Sequence, residues 1–203
     1  FVADVSVMSD ITGFHIHRGV LAAVHRPIVE KEGDSVTRII EKAKGNTKIS
    51  LLLAEGITNV DNMGALFRNA AAFGVDGLLF DHRCCDPLYR KAIRVSMGHT
   101  FSLPWAVMID WKEGLQRLKQ ELGIKLIGCE TGYVSKPMWE VEPTEKFALI
   151  MGEEKSGLSS TTIELCDAIA EIPMTKNVPS VNVAVASAVG LYEFLGRNRL
   201  DNG

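Results

Sequence analysis

Three short stretches of this chain carry polar residues whose types and spacing suit chemistry more than packing. In EGITNVDNMGALFRNAAAFG, residues 55–74, Arg68 stands six residues after Asn62 in a run of alanine, leucine and phenylalanine at helical spacing. A guanidinium is seldom set among small apolar side chains unless it faces a cleft or an ion partner. In LIMGEEKSGLS, residues 149–159, Gly152 and Gly157 bracket two carboxylates where an apolar run gives way to a loop. Glycines there allow backbone angles and close ligand approach that side chains would block. The loop is not a Walker A phosphate loop, because Lys155 and Ser156 precede the second glycine, and no GxGxxG dinucleotide fingerprint occurs in the chain. In EIPMTKNVPSVNVAVASAVGLYE, residues 171–193, Ser180 and Asn182 stand at the start of a long apolar stretch, where helix caps also belong. Taken singly, each stretch has a structural explanation as well as a functional one.

All three stretches follow predicted strands. Short apolar runs at Lys48–Ala54, Val75–Phe80, Lys125–Cys129, Phe147–Met151 and Ala168–Ile172 read as strands of a buried parallel sheet. Helices are expected at Ser35–Lys44, at Asp61–Phe73 with Asp61 or Asn62 as cap, and at Pro87–Met97. Further helices are expected at Trp111–Leu122 with Gly123 as stop, around Thr161–Leu165, and at Asn182–Arg197. HIHRGVLAAVHRP, His15–Pro27, reads as a further short strand between polar turns. Strands alternating with helices predict an α/β fold, a mostly parallel sheet with helices on both faces, whose functional loops lie at the carboxyl ends of the strands. Residues 1–45 are expected to be an N-terminal connector or edge segment and residues 46–203 the main domain.

Composition sets the outer limits. The 203 residues, 46% hydrophobic and 23% charged, suit one globular domain with a sizeable core. The longest uncharged apolar run near the end, Val181–Tyr192, falls short of the roughly 18–20 residues of a bilayer span. The chain opens at Phe1 without a signal-peptide layout and is expected to lack an N-terminal part. Cys84, Cys85, Cys129 and Cys166 form no CxxC pair and have no histidine at metal-ligand spacing, so neither a disulfide framework nor a metal site is expected, and a reducing, cytoplasmic setting fits. A net charge of −3 argues against coating nucleic acid by bulk electrostatics. Arg83, Arg90, Lys91 and Arg94, flanked by His82 and His99, form the densest basic cluster, either a local RNA-binding patch or a solvated helix face.

In this order the three stretches resemble the signature of the SpoU (TrmH) family of RNA ribose methyltransferases, within the SPOUT superfamily. Asn62, Gly64, Arg68 and Ala70 meet the family's first motif, N-x-G-x-x-x-R-x-A. Gly152, Glu154 and Gly157 meet the second, G-x-E-x-x-G. Ile172, Pro173, Met174, Ser180, Asn182 and Val183 meet the third, an I-P-M strand end followed by S-x-N-V. The likeness runs from about Ile49 to Phe194 and includes DPLYRKAIRVSMGHTFSLPW, residues 86–105. Lys176 and Lys155 stand where the family often has glycine, and Ala184 where it often has serine.

The resemblance implies a C-terminal deep trefoil knot and a catalytic role for residues 46–203. It also implies transfer of a methyl group from S-adenosylmethionine to a ribose 2′-hydroxyl of tRNA or rRNA, at sites formed in a homodimer, with no membrane or metal partner. Carried over by motif position, Arg68, Ser180, Asn62, Glu154 and Asn182 are the catalytic candidates, with Glu154 expected to pair with Arg68 or its loop. Gly152, Ile172, Val181, Met174, Glu130, Thr131 and Gly157 are the cofactor-binding candidates. A guanidinium with a pKa above about 12 is a poor base. Arg68 is therefore expected to hold the flanking phosphate and stabilise the developing alkoxide. Two rival readings are a noncatalytic RNA-binding or assembly factor that keeps the fold, and a knotted methyltransferase acting on protein or a small molecule.

Overall fold

The structure, a computed structural model, describes residues 1–13, 15–16, 20–23, 25, 35–132, 134–142 and 144–200. The chain divides into two compact units, Phe1–Glu32 and Gly33–Gly203. The first contains helix α1 (Val5–Thr12), ended by Gly13 at φ 72°, whose N–H returns to the Ser9 carbonyl. No helix was expected there. Of the strand expected at His15–Pro27, residues 17–19, 24, 26 and 27 lie outside the described residues, and those described belong to no strand.

The second unit is an α/β sheet structure. Its elements are α2 (Ser35–Ala43), β1 (Ile49–Ala54), α3 (Val60–Phe73), β2 (Gly77–Asp81), α4 (Arg90–Val95), β3 (Trp105–Met108), α5 (Trp111–Leu122), β4 (Lys125–Cys129), β5 (Lys136–Pro137), β6 (Lys146–Met151), α6 (Ser160–Leu165), β7 (Ala168–Glu171) and α7 (Val183–Leu200). The strands lie in the order β3-β2-β1-β6-β4-β7-β5, and every pairing is parallel. Because β6 inserts between β1 and β4, the strand order turns back at the centre of the sheet. In open α/β sheets ligands bind outside the carboxyl ends of strands at such a point.

The central strands read as unbroken apolar runs because both faces of the sheet are covered. Leu52, Ala54, Leu78, Phe80, Phe147, Leu149 and Met151 point to one face, where they pack with Met63, Leu66, Phe67 and Ala70 of α3 and with Val183, Leu191 and Phe194 of α7. Their neighbours in sequence, Leu51, Leu53, Leu79, Ala148 and Ile150, point to the other face. There they meet Val36, Ile39, Ile40 and Ala43 of α2 and Leu115, Leu118 and Leu122 of α5. The α2 residues repeat at i, i+3, i+4 and i+7, one helix face, and with that face α2, in the segment read as connector or edge, packs on the sheet. Phe67 anchors α3 by edge contacts to Phe80 and Trp105, with ring centroids 6.3 and 6.4 Å away. Full burial of such a side chain contributes roughly 1.5–3 kcal/mol.

Several boundaries move. Asn59, not Asp61 or Asn62, caps α3, its side chain accepting from the Asp61 N–H at 2.8 Å. That leaves Asn62 inside the first turn with its amide free for another task. Helix α4 is shorter than the expected Pro87–Met97, because Asp86 turns the chain before it, accepting from Leu88 N–H at 2.9 Å, and Met97 (φ 58°) and Gly98 (φ 83°) both leave the helical region after it. Strands β3 and β5 were not expected. β5 is only two residues long, and β3 alternates half-buried with buried residues at the sheet edge.

Candidate active site

The carboxyl ends of three adjacent strands, β6, β4 and β7, open into one cavity of ≈ 580 Å³. The loop after each strand supplies part of its wall. Glu130 and Thr131 follow β4, Gly152 to Gly157 follow β6, and Ile172, Met174 and Pro179 to Asn182 follow β7. All seven cofactor-binding candidates, Gly152, Ile172, Val181, Met174, Glu130, Thr131 and Gly157, line this cavity, as do Glu154, Ser180 and Asn182. The volume lies in the range of small-molecule sites, about 300–1,000 Å³. Four carboxylates, Glu130, Glu153, Glu154 and Glu171, stand in the lining against the single ammonium of Lys155. That balance favours a ligand with positive charge.

At the edge of the cavity the three motifs are joined by side-chain hydrogen bonds. The Asn62 amide donates to Glu154 Oε1, and its carbonyl oxygen accepts from Asn182 Nδ2 at 3.0 Å. Asn182 also does what a helix cap does, accepting from the Ala184 N–H at 2.8 Å. Structural and site roles thus coincide in one residue. A second tie lies one heptad along α3, where Asn69 Nδ2 donates to the Ala184 carbonyl at 2.7 Å and to Ser187 Oγ at 2.9 Å. Asn69 was missed from sequence. Its signal was the seven-residue interval from Asn62, which puts both amides on one face of α3.

Glycines let the loops close on each other. A Cβ on Gly152 would lie 2.4 Å from the Gly157 carbonyl carbon and 2.6 Å from Leu158 N. Gly157 adopts φ 66°, and a Cβ there would lie 2.0 Å from Glu130 Oε2. Glu130 accepts from Leu158 N–H through Oε2 at 2.8 Å and from Thr131 N–H through Oε1 at 2.9 Å. It therefore clamps the β4 and β6 loops together from within the cavity wall. Gly64 of the first motif serves packing instead, since a Cβ would meet the Ala92 carbonyl oxygen and Val95 Cβ, both at 2.7 Å, where α4 crosses α3.

Beneath these loops lie two buried carboxylates, Glu55 and Asp81, each 2% exposed. Burial alone would push Asp81 up, but the Gly56 N–H and the Arg83 guanidinium together hold its carboxyl below the ordinary value. Burial has the opposite result for the Cys129 thiol in the cavity wall, pushed up to about 12 with the Glu130 carboxylate adding to the effect. Cys166 is likewise pushed up to about 12, by burial and then by Asp167. Such thiols are inert at neutral pH.

The remaining candidates are dispersed. Arg68 is exposed on α3, six residues from Asn62 or about 9 Å along the axis, is not among the cavity-lining residues, and has no ion partner among the described residues. Of the expected pairing of Glu154 with Arg68 or its loop, no Glu154–Arg68 ion pair forms among the described residues; Glu154 accepts instead from the Asn62 amide on the same helix as Arg68. Ser180 lines the cavity with no hydrogen-bond partner for its hydroxyl among the described residues. In the basic cluster, Arg83 bonds Asp81 and Glu55, and Lys91 pairs with Asp61 at 2.7 Å. Arg90 and Arg94 are exposed on α4. The Lys176 departure is absorbed by its neighbour: Asn177 takes the left-handed conformation, φ 70°, in a turn closed by Val178 N–H to the Thr175 carbonyl at 3.2 Å.

The model of the SpoU rRNA methylase family matches residues 50–192, a span containing all three motifs. The chain belongs to the SpoU rRNA methylase family. SpoU methylases are S-adenosylmethionine-dependent RNA methyltransferases. An uncharacterized tRNA/rRNA methyltransferase of Mycobacterium bovis is 38% identical over 94% of this chain, which spans 64% of that relative's length. The 23S rRNA (guanosine-2′-O-)-methyltransferase RlmB of Pseudomonas aeruginosa is 31% identical over 89% of this chain and 71% of its own. Among solved structures, the SpoU methyltransferase AviRb of Streptomyces viridochromogenes, in complex with AdoMet, aligns with a TM-score of 0.72 and 27% identity over 79% of this chain and 64% of AviRb. Among the described residues, no group of His, Cys, Asp or Glu is placed to hold a metal, and no helix is long and apolar enough to cross a membrane.

Proposed function

We propose that this SpoU methylase transfers a methyl group from S-adenosylmethionine to a ribose 2′-hydroxyl of tRNA or rRNA, in the cytoplasm. The observation that carries the proposal is one acidic-walled cavity lined by the second and third motifs, to which the first motif is tied through the Asn62–Glu154 and Asn62–Asn182 hydrogen bonds. The residues fit the cofactor. Ile172, Met174 and Val181 offer apolar contact, the three loops offer backbone N–H and C=O groups, and the carboxylates suit a sulfonium and an ammonium. S-adenosylmethionine bound there supplies a methyl group on a cationic sulfur. The 2′-O assignment draws support from the relative RlmB, whose name specifies that position.

Within this reading each residue has a task. Asn62 holds the Glu154 loop against α3 and α7, which keeps the cavity mouth in one shape. Ser180, with its hydroxyl unengaged among the described residues, is the group that orients the ribose. Arg68, exposed and without an ion partner among the described residues, takes the phosphate next to the target ribose and stabilises the alkoxide as it develops. Arg90 and Arg94 extend the RNA contact along α4. Calorimetry with S-adenosylmethionine, followed by methylation assays on tRNA and rRNA, tests the reading. A chain that binds no S-adenosylmethionine overturns it, and an Arg68→Ala protein that methylates RNA at the parent rate overturns the role of Arg68.

Two further parts of the proposal concern assembly. Val181, Val185, Val189 and Tyr192 are all exposed along one side of α7 and its leading turn, an apolar stripe that suits a second copy of the chain. Light scattering should give a dimer, and Val185→Glu with Val189→Glu should give a monomer; a monomeric parent overturns this part. The deep trefoil knot of the family is proposed for the C-terminal segment, supported by the insertion of β6 between β1 and β4 ahead of β7 and α7. An experimental chain trace that pulls straight from both ends would overturn it.

A further inference from the structure

Arg83, the first residue of the basic cluster, is not free to meet RNA. Arg83 Nε lies 2.5 Å from Asp81 Oδ2 and Nη2 lies 3.0 Å from Glu55 Oε1, while about half of the side chain remains exposed. Each carboxylate it bridges also holds a backbone N–H of a motif-bearing loop. Asp81 Oδ1 accepts from Gly56 N–H at 2.9 Å, at the start of the β1–α3 loop that leads to Asn62. Glu55 Oε2 accepts from Ser159 N–H at 3.2 Å, at the end of the β6–α6 loop that carries Glu154. Gly56, at φ 71°, runs directly over this group, a Cβ there lying 3.4 Å from Glu153 Cβ and 3.8 Å from Arg83 Nη2.

We infer that Arg83 is a positioning residue of the methyl-transfer site: by bridging buried Glu55 and Asp81 it sets the β1–α3 and β6–α6 loops in the register that lets Asn62 meet Glu154. The inference rests on the function proposed above. Its physical basis is that two buried carboxylates a guanidinium's width apart repel unless a cation lies between them. A planar fork meets both at once, which an ammonium on a flexible stem does not. Without the bridge the carboxylates separate or one takes a proton, and the loop N–H groups of Gly56 and Ser159 lose fixed acceptors. The error then reaches the cavity through the Gly152–Gly157 segment. Arg83 is not among the residues that line the cavity, so its effect on catalysis passes through the loops.

The test is the Arg83→Ala chain, examined by calorimetry with S-adenosylmethionine and by steady-state methylation of the RNA that the parent accepts. The dissociation constant and KM for S-adenosylmethionine should each rise at least tenfold, kcat should fall, and KM for RNA should stay within about twofold of the parent. Millimolar guanidinium should restore cofactor affinity where sodium at equal ionic strength does not, since the vacated position is open to solvent. If Arg83→Ala does not fold, Arg83→Lys carries the same readouts and should show the same direction with smaller size. A raised KM for RNA with unchanged cofactor affinity overturns the inference and makes Arg83 an RNA contact. Unchanged kinetics, or a loss that guanidinium does not restore, also overturns it. A parent chain that binds no S-adenosylmethionine refutes the functional reading itself, an outcome distinct from a cofactor-binding parent whose variant is unaltered.

Discussion

Replacing Gly157 with alanine should damage the cavity by an amount that follows from two structural facts. At φ 66° an alanine sits in the left-handed region, which costs about 1–2 kcal/mol for a residue with a Cβ. The new Cβ would also lie 2.0 Å from Glu130 Oε2 and 2.8 Å from its Cδ. The carboxylate has to leave, and Leu158 N–H loses the acceptor it has at 2.8 Å. A hydrogen bond to a charged group contributes about 1.5–3 kcal/mol. The two terms together give about 2.5–5 kcal/mol, equivalent to roughly 60-fold to 4,000-fold in S-adenosylmethionine affinity if the whole cost falls on the closed loop. Urea unfolding and calorimetry on the same protein divide the loss between stability and binding. A double-mutant cycle isolates the clash. Glu130→Ala should cost about 1.5–3 kcal/mol in the parent and close to nothing in the Gly157→Ala background, where the bond is already gone. Effects that add to within about 0.5 kcal/mol would refute the reasoning, because Glu130 and residue 157 would then be energetically separate.

Three further outcomes are expected. Arg68→Ala should leave unfolding stability within about 0.5 kcal/mol of the parent, since the side chain is exposed and without an ion partner among the described residues. The same variant should lose RNA methylation at least hundredfold while binding cofactor normally, a range typical for removal of a transition-state stabilising group. Asp81 has a folded-state pKa below its unfolded value, so its contribution is fully present above about pH 4 and is lost as pH falls through the lower folded value. The stability gap between the parent and Asp81→Asn should therefore be level from about pH 5 to 7 and shrink below about pH 4 in urea titrations; a gap that widens with acid contradicts this. Cys129, pushed up to about 12, is almost wholly thiol at pH 8. Iodoacetamide should label it at least a hundred times more slowly in the folded protein than in urea, as followed by mass spectrometry.

Much of the sheet was legible because burial on two faces leaves its mark in single residues. Ile49–Ala54 and Phe147–Met151 are apolar without alternation, and that pattern is what a central parallel strand requires. Trp111–Leu122, with Asp110 capping and Gly123 stopping it, appeared at its full length for a similar local reason. Elements held by distant contacts were not legible. β3 sits at the sheet edge and β5 is two residues long, so their pairing depends on β2 and β7. The α3 cap was misplaced because Asn59, Asp61 and Asn62 are all good capping residues, and only the direction of the chain leaving Glu55 and Gly56 decides among them.

For the site, residue types and motif order in the second and third stretches picked out side chains that line the cavity, because glycines that admit close loop contact leave their mark in single residues, whereas Asn62 and Arg68 of the first stretch do not line it. Partnership was decided by tertiary structure alone. Glu154 meets Asn62 rather than Arg68, Arg83 closes on two buried carboxylates rather than standing free in a basic patch, and Asn69 joins α3 to α7. Apart from Arg83 and Asp81, two residues apart, these charges and amides select partners over distances of a few ångströms between segments that are 28 to 118 residues apart in sequence. Those separations carry no periodicity. They come into being only when β6 takes its place between β1 and β4 and brings the ends of distant strands to one edge of the sheet.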